Sequence, residues 1–344
     1  MADAVRVLLV GGSGFIGGHV ARALVAAGHR VTVMSRGTRP LPAGTEPLHA
    51  DRADARSIAA ALEGRRWDIT FDFTAFDAGD VERLLLVPYA ALGRYVMIST
   101  GQVYLVTDGA RPPYREPDSA HPLRPEPAAD ADDHPSWAYG VGKRRAESAL
   151  LALRATHGVR ATILRLPNIQ GEGDGSLRLW AWLERFLDGG PVLLPDGGVG
   201  PARPLYVGDV ARLASQLVNG LVPREPVYNL AQPETVTVRE LLERLAHAAG
   251  VTPRFVEMPW DELFAAGLNG DCAPYASRWS SVLDPSRAAS EWGFAGTRLD
   301  DYLPAVVRWH LEHRPVRSHV GYATRARERA IAGQRMGTAG VGGS

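Results

Sequence analysis

Short apolar runs alternate with segments of helical period along the first 170 residues or so of this chain. Val5-Arg6-Val7-Leu8-Leu9-Val10 is closed at once by glycines, the pattern of a short strand buried on both faces. Residues 15–27 then set Ile16, Val20, Leu24 and Ala27 at helical spacing, and Val31-Thr32-Val33-Met34 predicts a second strand. The same reading predicts a helix near 54–63, a strand over Asp68 to Phe73, a helix over 78–92 and a strand over Tyr95-Val96-Met97-Ile98. A long helix over 137–157 and a strand at Arg160-Ala161-Thr162-Ile163-Leu164 follow. Strands that alternate with helices predict an α/β fold with a doubly wound parallel sheet.

Two stretches break this rhythm. Residues 105–136 carry prolines at 112, 113, 117, 122, 125, 127 and 135 and the acidic residues Asp130, Asp132 and Asp133. A loop of that length is either a functional lid or a solvated connection, and both readings stay open. Beyond Asn168 glycine and proline thicken and helices at about 176–187 and 238–249 stand among irregular pieces. The shift marks a first α/β domain over 1–166 and a smaller C-terminal α/β domain over 167–316, with about 204–232 returning to the first. The arginine- and glycine-rich end, 317–344, reads as a flexible tail.

Composition narrows the function classes. The 38 basic and 38 acidic residues balance to a formal charge of zero, which argues against nucleic acid and against a membrane surface as partners. One cysteine, Cys272, cannot form an intrachain disulfide or a cysteine-rich zinc site, and no metal site is expected. No apolar run approaches a membrane span, and a strand beginning at Val5 leaves no room for a signal peptide. A soluble cytoplasmic protein is the expectation.

Gly11-Gly12-Ser13-Gly14-Phe15-Ile16-Gly17 joins the first strand to the first helix. Glycines at 11, 14 and 17 allow a tight turn, a close approach to a pyrophosphate and close helix–sheet packing, while the helix N-terminus offers free N–H groups. At the tip of the second strand, a carboxylate would accept from the ribose hydroxyls and repel a 2′-phosphate. The position holds Ser35, followed by Arg36 and then Arg39, which predicts NADP(H) over NAD(H). If Arg36 instead stacks on the adenine, either cofactor is allowed. Asp51 could accept from the adenine amino group or cap a helix beginning near Ala53.

The only lysine of the chain, Lys143, lies four residues after Tyr139, one turn away on one helix face. An ammonium is a compact point charge where arginine is a wide planar fork, so its survival in an otherwise arginine-only chain marks a site that needs it. Beside a nicotinamide, that charge would bring a phenol with an ordinary pKa near ~10 toward the working range. Tyr139 could then exchange a proton with an alcohol or ketone as hydride moves. Lys143 would also bond the nicotinamide ribose. The strand end Ile98-Ser99-Thr100 supplies a hydroxyl for the substrate oxygen, with Thr100 as first choice and Ser99 as second.

The glycine spacing, Ser99-Thr100-Gly101-Gln102-Val103-Tyr104 and the Tyr139/Lys143 pair together resemble the extended short-chain dehydrogenase/reductase family, of the NAD-dependent epimerase/dehydratase type. Arg165-Leu166-Pro167-Asn168, Leu205-Tyr206-Val207-Gly208-Asp209-Val210-Ala211, Val227-Tyr228-Asn229-Leu230 and Asp284-Pro285-Ser286-Arg287 extend the likeness over most of the chain. The resemblance implies a Rossmann-like fold, with Tyr139 as base, Lys143 as ribose-binding cation and Thr100 as substrate hydroxyl. It implies a cofactor set of Gly11, Gly14, Phe15, Ile16, Gly17, Ser35, Arg36, Asp51, Arg52, Phe73, Thr74, Ala75 and Pro167 beside Tyr139 and Lys143. For substrate it suggests Ser99, Gln102, Asn168, Arg203 and Arg278, the arginines toward a diphosphate or simply at the surface. Trp180 and Trp182 either flank a substrate base or pack in the core.

The departures select among reactions. Family 4,6-dehydratases carry an acid just after the catalytic threonine and 3,5-epimerases a cysteine, whereas this chain has Gly101 and Gln102. An amide cannot shuttle a proton as a carboxyl can, which leaves hydride transfer alone: a ketoreductase or 4-epimerase acting on a sugar, nucleotide-activated by resemblance. The stretch from Phe73 to Ile98 is short and lacks the asparagine-containing segment usual in nucleotide-sugar members, which weakens that implication and the implied homodimer. The competing class is a non-catalytic member of the fold that binds a dinucleotide or RNA.

Overall fold

A computed structural model of the chain describes residues 4–85, 89–276 and 280–339. It separates into two compact units: residues 1–169, 205–231 and 283–296 form the first, and residues 170–204, 232–282 and 297–344 the second.

The first unit is built on a seven-stranded sheet. Its strands are β1 (Arg6–Val10), β2 (Arg30–Ser35), β3 (Glu46–His49), β4 (Ile69–Asp72), β5 (Arg94–Thr100), β6 (Ala161–Leu166) and a last strand, Val227–Asn229. From one edge the order is Val227–Asn229, β6, β5, β4, β1, β2, β3, and every neighbouring pair is parallel. The chain runs outward from β1 through β2 to β3, then restarts at β4 on the other side. Such a reversal opens a crevice beyond the strands' C-terminal ends, where doubly wound sheets bind ligands.

Alternation along each strand fills both faces. Val7, Leu9, Val31, Val33, Ile69 and Phe71 pack with Val20 and Leu24 of α1 (Phe15–Ala26) and with Leu213 and Leu217 of a helix over Val207–Val218. Leu8, Val10, Met34 and Met97 pack on the opposite face. They meet Ile58 of α2 (Ala55–Leu62), Val81 and Leu84 of α3 (Ala78–Leu85), and Ala146 and Leu150 further on. A four-residue helix, α4 (Gln102–Leu105), follows β5, and α5 (His134–His157) carries the tyrosine–lysine pair.

Several sequence expectations need correction. The short strand β3 is missing from the apolar pattern because only Leu48 of its four residues is buried. The expected helix over 78–92 is α3 followed, after the undescribed residues 86–88, by a 3₁₀ turn at Tyr89–Leu92. The segment 105–136 is neither a free lid nor a merely solvated loop. Tyr114 stacks on Tyr104 with centroids 5.1 Å apart, Glu116 is buried and accepts from the Asn229 N–H at 2.9 Å, and Arg124 donates to Leu105 O at 3.1 Å.

The second unit is mainly helical. Trp182 has no exposed surface and its indole N–H donates to Pro274 O at 2.7 Å, and Trp180 is buried too, so both serve the core. The expected tail is largely ordered: a 3₁₀ turn at Val320–Thr324 leads into a helix over Arg325–Ala339. Glu328 of that helix forms a buried ion pair with Arg185 at 2.7 Å, so one face of an arginine-rich helix is held by charge rather than by apolar stripes. Among the described residues no helix is long and apolar enough to cross a membrane.

Candidate active site

β1 ends at Val10 and the chain turns at Gly11, whose φ of +82° is a left-handed conformation that glycine adopts without strain. A Cβ at Gly11 would lie 2.4 Å from Thr74 Cγ2, and one at Gly17 would lie 2.7 Å from Gly12 Cα and 2.9 Å from Gly11 O. The turn therefore packs against the end of β4 on one side and the first turn of α1 on the other. Gly14 is the N-cap of α1 and offers no side-chain cap, so the helix's first N–H groups face an open cradle. Such a cradle fits a dinucleotide pyrophosphate. Because backbone atoms are what the new methyl meets, Gly17→Ala is expected to weaken dinucleotide binding by about tenfold and stability by about 1–3 kcal/mol. Titration calorimetry with NADPH and a denaturant curve would measure the two effects.

Around the cradle, Phe15 and Ile16 are half-buried in the first turn of α1, and Phe73, Thr74 and Ala75 continue from β4. Ser35 closes β2, and its Oγ accepts from the Gly37 N–H at 3.3 Å. Arg36 is exposed. Asp51 accepts from the Ala53 N–H at 3.0 Å, while the N-cap of α2 is Asp54, so capping is not what Asp51 supplies to that helix.

Arg52 requires a correction. Its guanidinium grips the fully buried Asp72 at 2.8 and 3.0 Å and also donates to Thr74 Oγ1 at 2.6 Å and Asp80 O at 2.9 Å. Those terminal donors are committed to protein, so the guanidinium is a strut beneath Thr74 rather than a side-chain ligand reaching for a cofactor. Burial alone would raise the Asp72 carboxyl, but the Arg52 charge and the hydrogen bonds from Arg52, Tyr95 and Thr74 hold it below its usual range.

The pair on α5 is divided by exposure. Tyr139 is 42% exposed, with its ring 6.3 Å from that of Phe76, while Lys143 is only 2% exposed. Lys143 Nζ donates to Ala75 O at 2.6 Å and Ile98 O at 2.7 Å, so one ammonium ties the ends of β4 and β5 to the helix. Two glycines make that approach possible. A Cβ at Gly142 would lie 2.7 Å from Phe76 O, and one at Gly140 would meet Val106 Cγ1 at 2.6 Å and Gln102 O at 2.8 Å.

Burial pulls the Lys143 pKa down to about 8, against the opposing pull of Asp72 and Glu147. In the unfolded chain the ordinary value is 10.5, so between about 8 and 10.5 the unfolded state binds more protons. The lysine's contribution to stability therefore becomes more favourable as pH rises through that window. Its charge moves the other way: nicotinamide dinucleotide affinity is expected to fall as pH rises past about 8, a trend absent in Lys143→Met. Fluorescence titration of the cofactor across that range would measure it.

At the end of β5 the hydroxyls diverge. Thr100 is half-buried, and its Oγ1 accepts from the Gln102 N–H at 3.2 Å, which leaves its own O–H to donate. Ser99 is buried and donates to Glu147 Oε1 at 2.5 Å, which commits that hydroxyl and corrects its standing as second choice. Glu147 in turn pairs with Arg165 at 2.6 Å, and both side chains are nearly inaccessible. Arg165 also donates to Tyr104 Oη at 2.6 Å, Glu116 O at 2.9 Å and Ser119 Oγ at 2.8 Å. This array joins α5, β5, β6, α4 and the 114–120 segment. Sequence reasoning missed it, although a glutamate one turn beyond Lys143 and an arginine inside an apolar strand were its visible traces.

Pro167 is half-buried and Asn168 exposed just beyond β6. In the second unit Arg203 donates to Gln232 O at 2.8 Å and Pro233 O at 2.9 Å, so these donors serve the backbone. Arg278 lies outside the described residues.

Comparison with known proteins gives the family and the fold. Over 289 residues the chain is 29% identical to 2'-dehydrokanamycin reductase of Streptomyces kanamyceticus, covering 82% of this chain and 77% of that protein. It is 26% identical over 261 residues to the chloroplast stem-loop binding protein of 41 kDa b of Arabidopsis thaliana, covering 71% of this chain and 63% of that one. Its fold is that of the UDP-glucose 4-epimerase of Thermus thermophilus in complex with NAD, at a TM-score of 0.68 and 23% identity over 90% of this chain and 100% of that one. The model of the NAD dependent epimerase/dehydratase family matches residues 7–231, from β1 through the last strand of the sheet, and the chain belongs to that family.

Proposed function

We propose that this chain is an NADP(H)-linked ketoreductase that reduces a ketone on a sugar ring. The observation that carries the reading is the division of labour on α5: a phenol at the surface and, one turn on, an ammonium buried against Ala75 O and Ile98 O. When bound, the nicotinamide supplies the hydride. Tyr139 gives its phenolic proton to the ketone oxygen as that oxygen gains charge, and the Thr100 hydroxyl donates to the same atom. The Lys143 charge stabilises the phenolate that remains, and its third N–H is the donor for the nicotinamide ribose. Gln102 has no proton to shuttle at neutral pH, which disfavours elimination of water.

Net reduction is supported over epimerisation by the tip of β2, where Ser35, Arg36 and Arg39 stand in place of a carboxylate and suit the 2′-phosphate of an externally supplied NADPH. The relative named as a reductase of 2'-dehydrokanamycin points the same way. A 4-epimerase is the runner-up, favoured by the fold shared with UDP-glucose 4-epimerase. A binding-only role has support in the stem-loop binding relative, but the retained Tyr139/Lys143 pair weighs against it.

The test mixes the protein with NADPH and a panel of keto-sugars, nucleotide-activated ones and 2'-dehydrokanamycin included. One NADPH consumed per alcohol formed is the expected result. Inversion of a carbinol centre with no net cofactor change would replace the reading by epimerisation.

A further inference from the structure

We propose that His49 is a specificity-determining residue for the cofactor and that, with Arg36 and Arg39, it forms the site for the 2′-phosphate of NADP(H). The proposal rests on the NADP(H) reading above.

Geometry brings these residues to one place. β2 ends at Ser35 and β3 at His49, and the two are register partners in a parallel pair. Met34 and Leu48, one residue earlier in each strand, face the cluster opposite α1. By alternation Ser35 and His49 face the α1 side, where the glycine cradle lies. After Ser35 the chain folds back over the imidazole. Gly37 has φ +76°, and a Cβ there would lie 2.8 Å from His49 Nδ1 and 2.9 Å from Cε1. The turn that carries Arg36 and Arg39 is thus laid against the His49 ring.

Arg36, Arg39 and His49 are all exposed, and none has a side-chain hydrogen bond or ion pair among the described residues. Arg52, Arg83, Arg94 and Arg165 of this unit are each committed to protein acceptors, whereas Arg22, Arg30, Arg56, Arg65 and Arg66 are exposed like Arg36 and Arg39, so it is the place of these two beside His49 and the glycine turn that distinguishes them. No carboxylate interrupts residues 35–40. On β3 the nearest acid, Glu46, is three residues back, about 10 Å along a strand. Asp51, beyond the strand end, is turned to the Ala53 N–H. Two arginines on the turn after Ser35 and an imidazole N–H at the end of the neighbouring strand, with Ser35 between them, are donors without an acceptor. A phosphate monoester supplies three acceptor oxygens and the matching charge, whereas a ribose hydroxyl supplies neither.

Titration calorimetry of the full chain with 2′,5′-ADP and with 5′-AMP tests this apart from catalysis. The wild type is expected to bind 2′,5′-ADP the more tightly. His49→Ala is expected to lose about fivefold to tenfold in affinity for 2′,5′-ADP and nothing for 5′-AMP, and His49→Gln, which keeps an N–H donor, to lose less. If the wild type binds both nucleotides alike, the NADP(H) reading fails and this proposal with it. If the wild type discriminates and His49→Ala discriminates as strongly, only the assignment of His49 is overturned. Equal weakening of both nucleotides in His49→Ala also overturns it, because the ring would then be supporting the adenosine rather than the phosphate.

Discussion

Tyr139→Phe is expected to lower kcat by about 10²–10⁴-fold while leaving dinucleotide affinity within about twofold. The substitution removes one oxygen and nothing else. The ring that lies 6.3 Å from Phe76 remains, as do Gly140 and Gly142, which seat α5 against α4 and the turn after β4. Lys143 keeps its two backbone acceptors, so the cofactor side of the site is unchanged. On the proposed ketoreductase reading, what disappears is the proton that would reach the ketone oxygen as hydride arrives. A loss confined to KM would instead make Tyr139 a binding group. Single-turnover kinetics with NADPH and a keto-sugar, beside calorimetry of NADPH alone, separate the two.

Glu147→Ala is expected to destabilise the fold by about 3–5 kcal/mol, because it leaves the buried Arg165 guanidinium without its counter-charge. The carboxylate also accepts from Ser99, the residue before Thr100, so the end of β5 loses a partner in the same step. Arg165 keeps neutral acceptors at Tyr104 Oη, Glu116 O and Ser119 Oγ, which hold the side chain in place but do not balance its charge. Glu147→Gln, which retains the shape and one acceptor, should cost less. Denaturant unfolding of the three proteins measures the order, and an alanine variant as stable as the wild type would mean that water reaches Arg165 and screens it.

Much of the sheet was legible because its signal is local. Strands buried on both faces read as apolar runs, and the glycines at 11, against the Thr74 side chain, and 17, against backbone, stand at fixed offsets from β1. β3 was not legible, since an edge strand with one buried residue leaves no alternation to read. The same limit hid His49, whose interest lies in a register with Ser35 that no spacing reveals. Within the proposed site, Tyr139 and Lys143 could be nominated because the one lysine of the chain stands four residues after a tyrosine, and Thr100 because it closes an apolar strand. Ser99 and Arg52 could not be placed, since their partners, Glu147 and Asp72, stand 48 and 20 residues away. The C-terminal helix over Arg325–Ala339 reads as polar all round, and the pairings of Glu328 with Arg185 and of Arg325 with Asp188, 143 and 137 residues earlier, show why it is held.

The most direct measurement of the hydride-transfer claim uses NADPH carrying deuterium at both C4 positions of the nicotinamide, a keto-sugar and the wild-type protein, with the product read by mass spectrometry. Transfer predicts deuterium bonded to the new carbinol carbon in the wild type and almost none in Tyr139→Phe. NADPH that binds but keeps its label across the whole keto-sugar panel would contradict the account and leave a dinucleotide-binding protein.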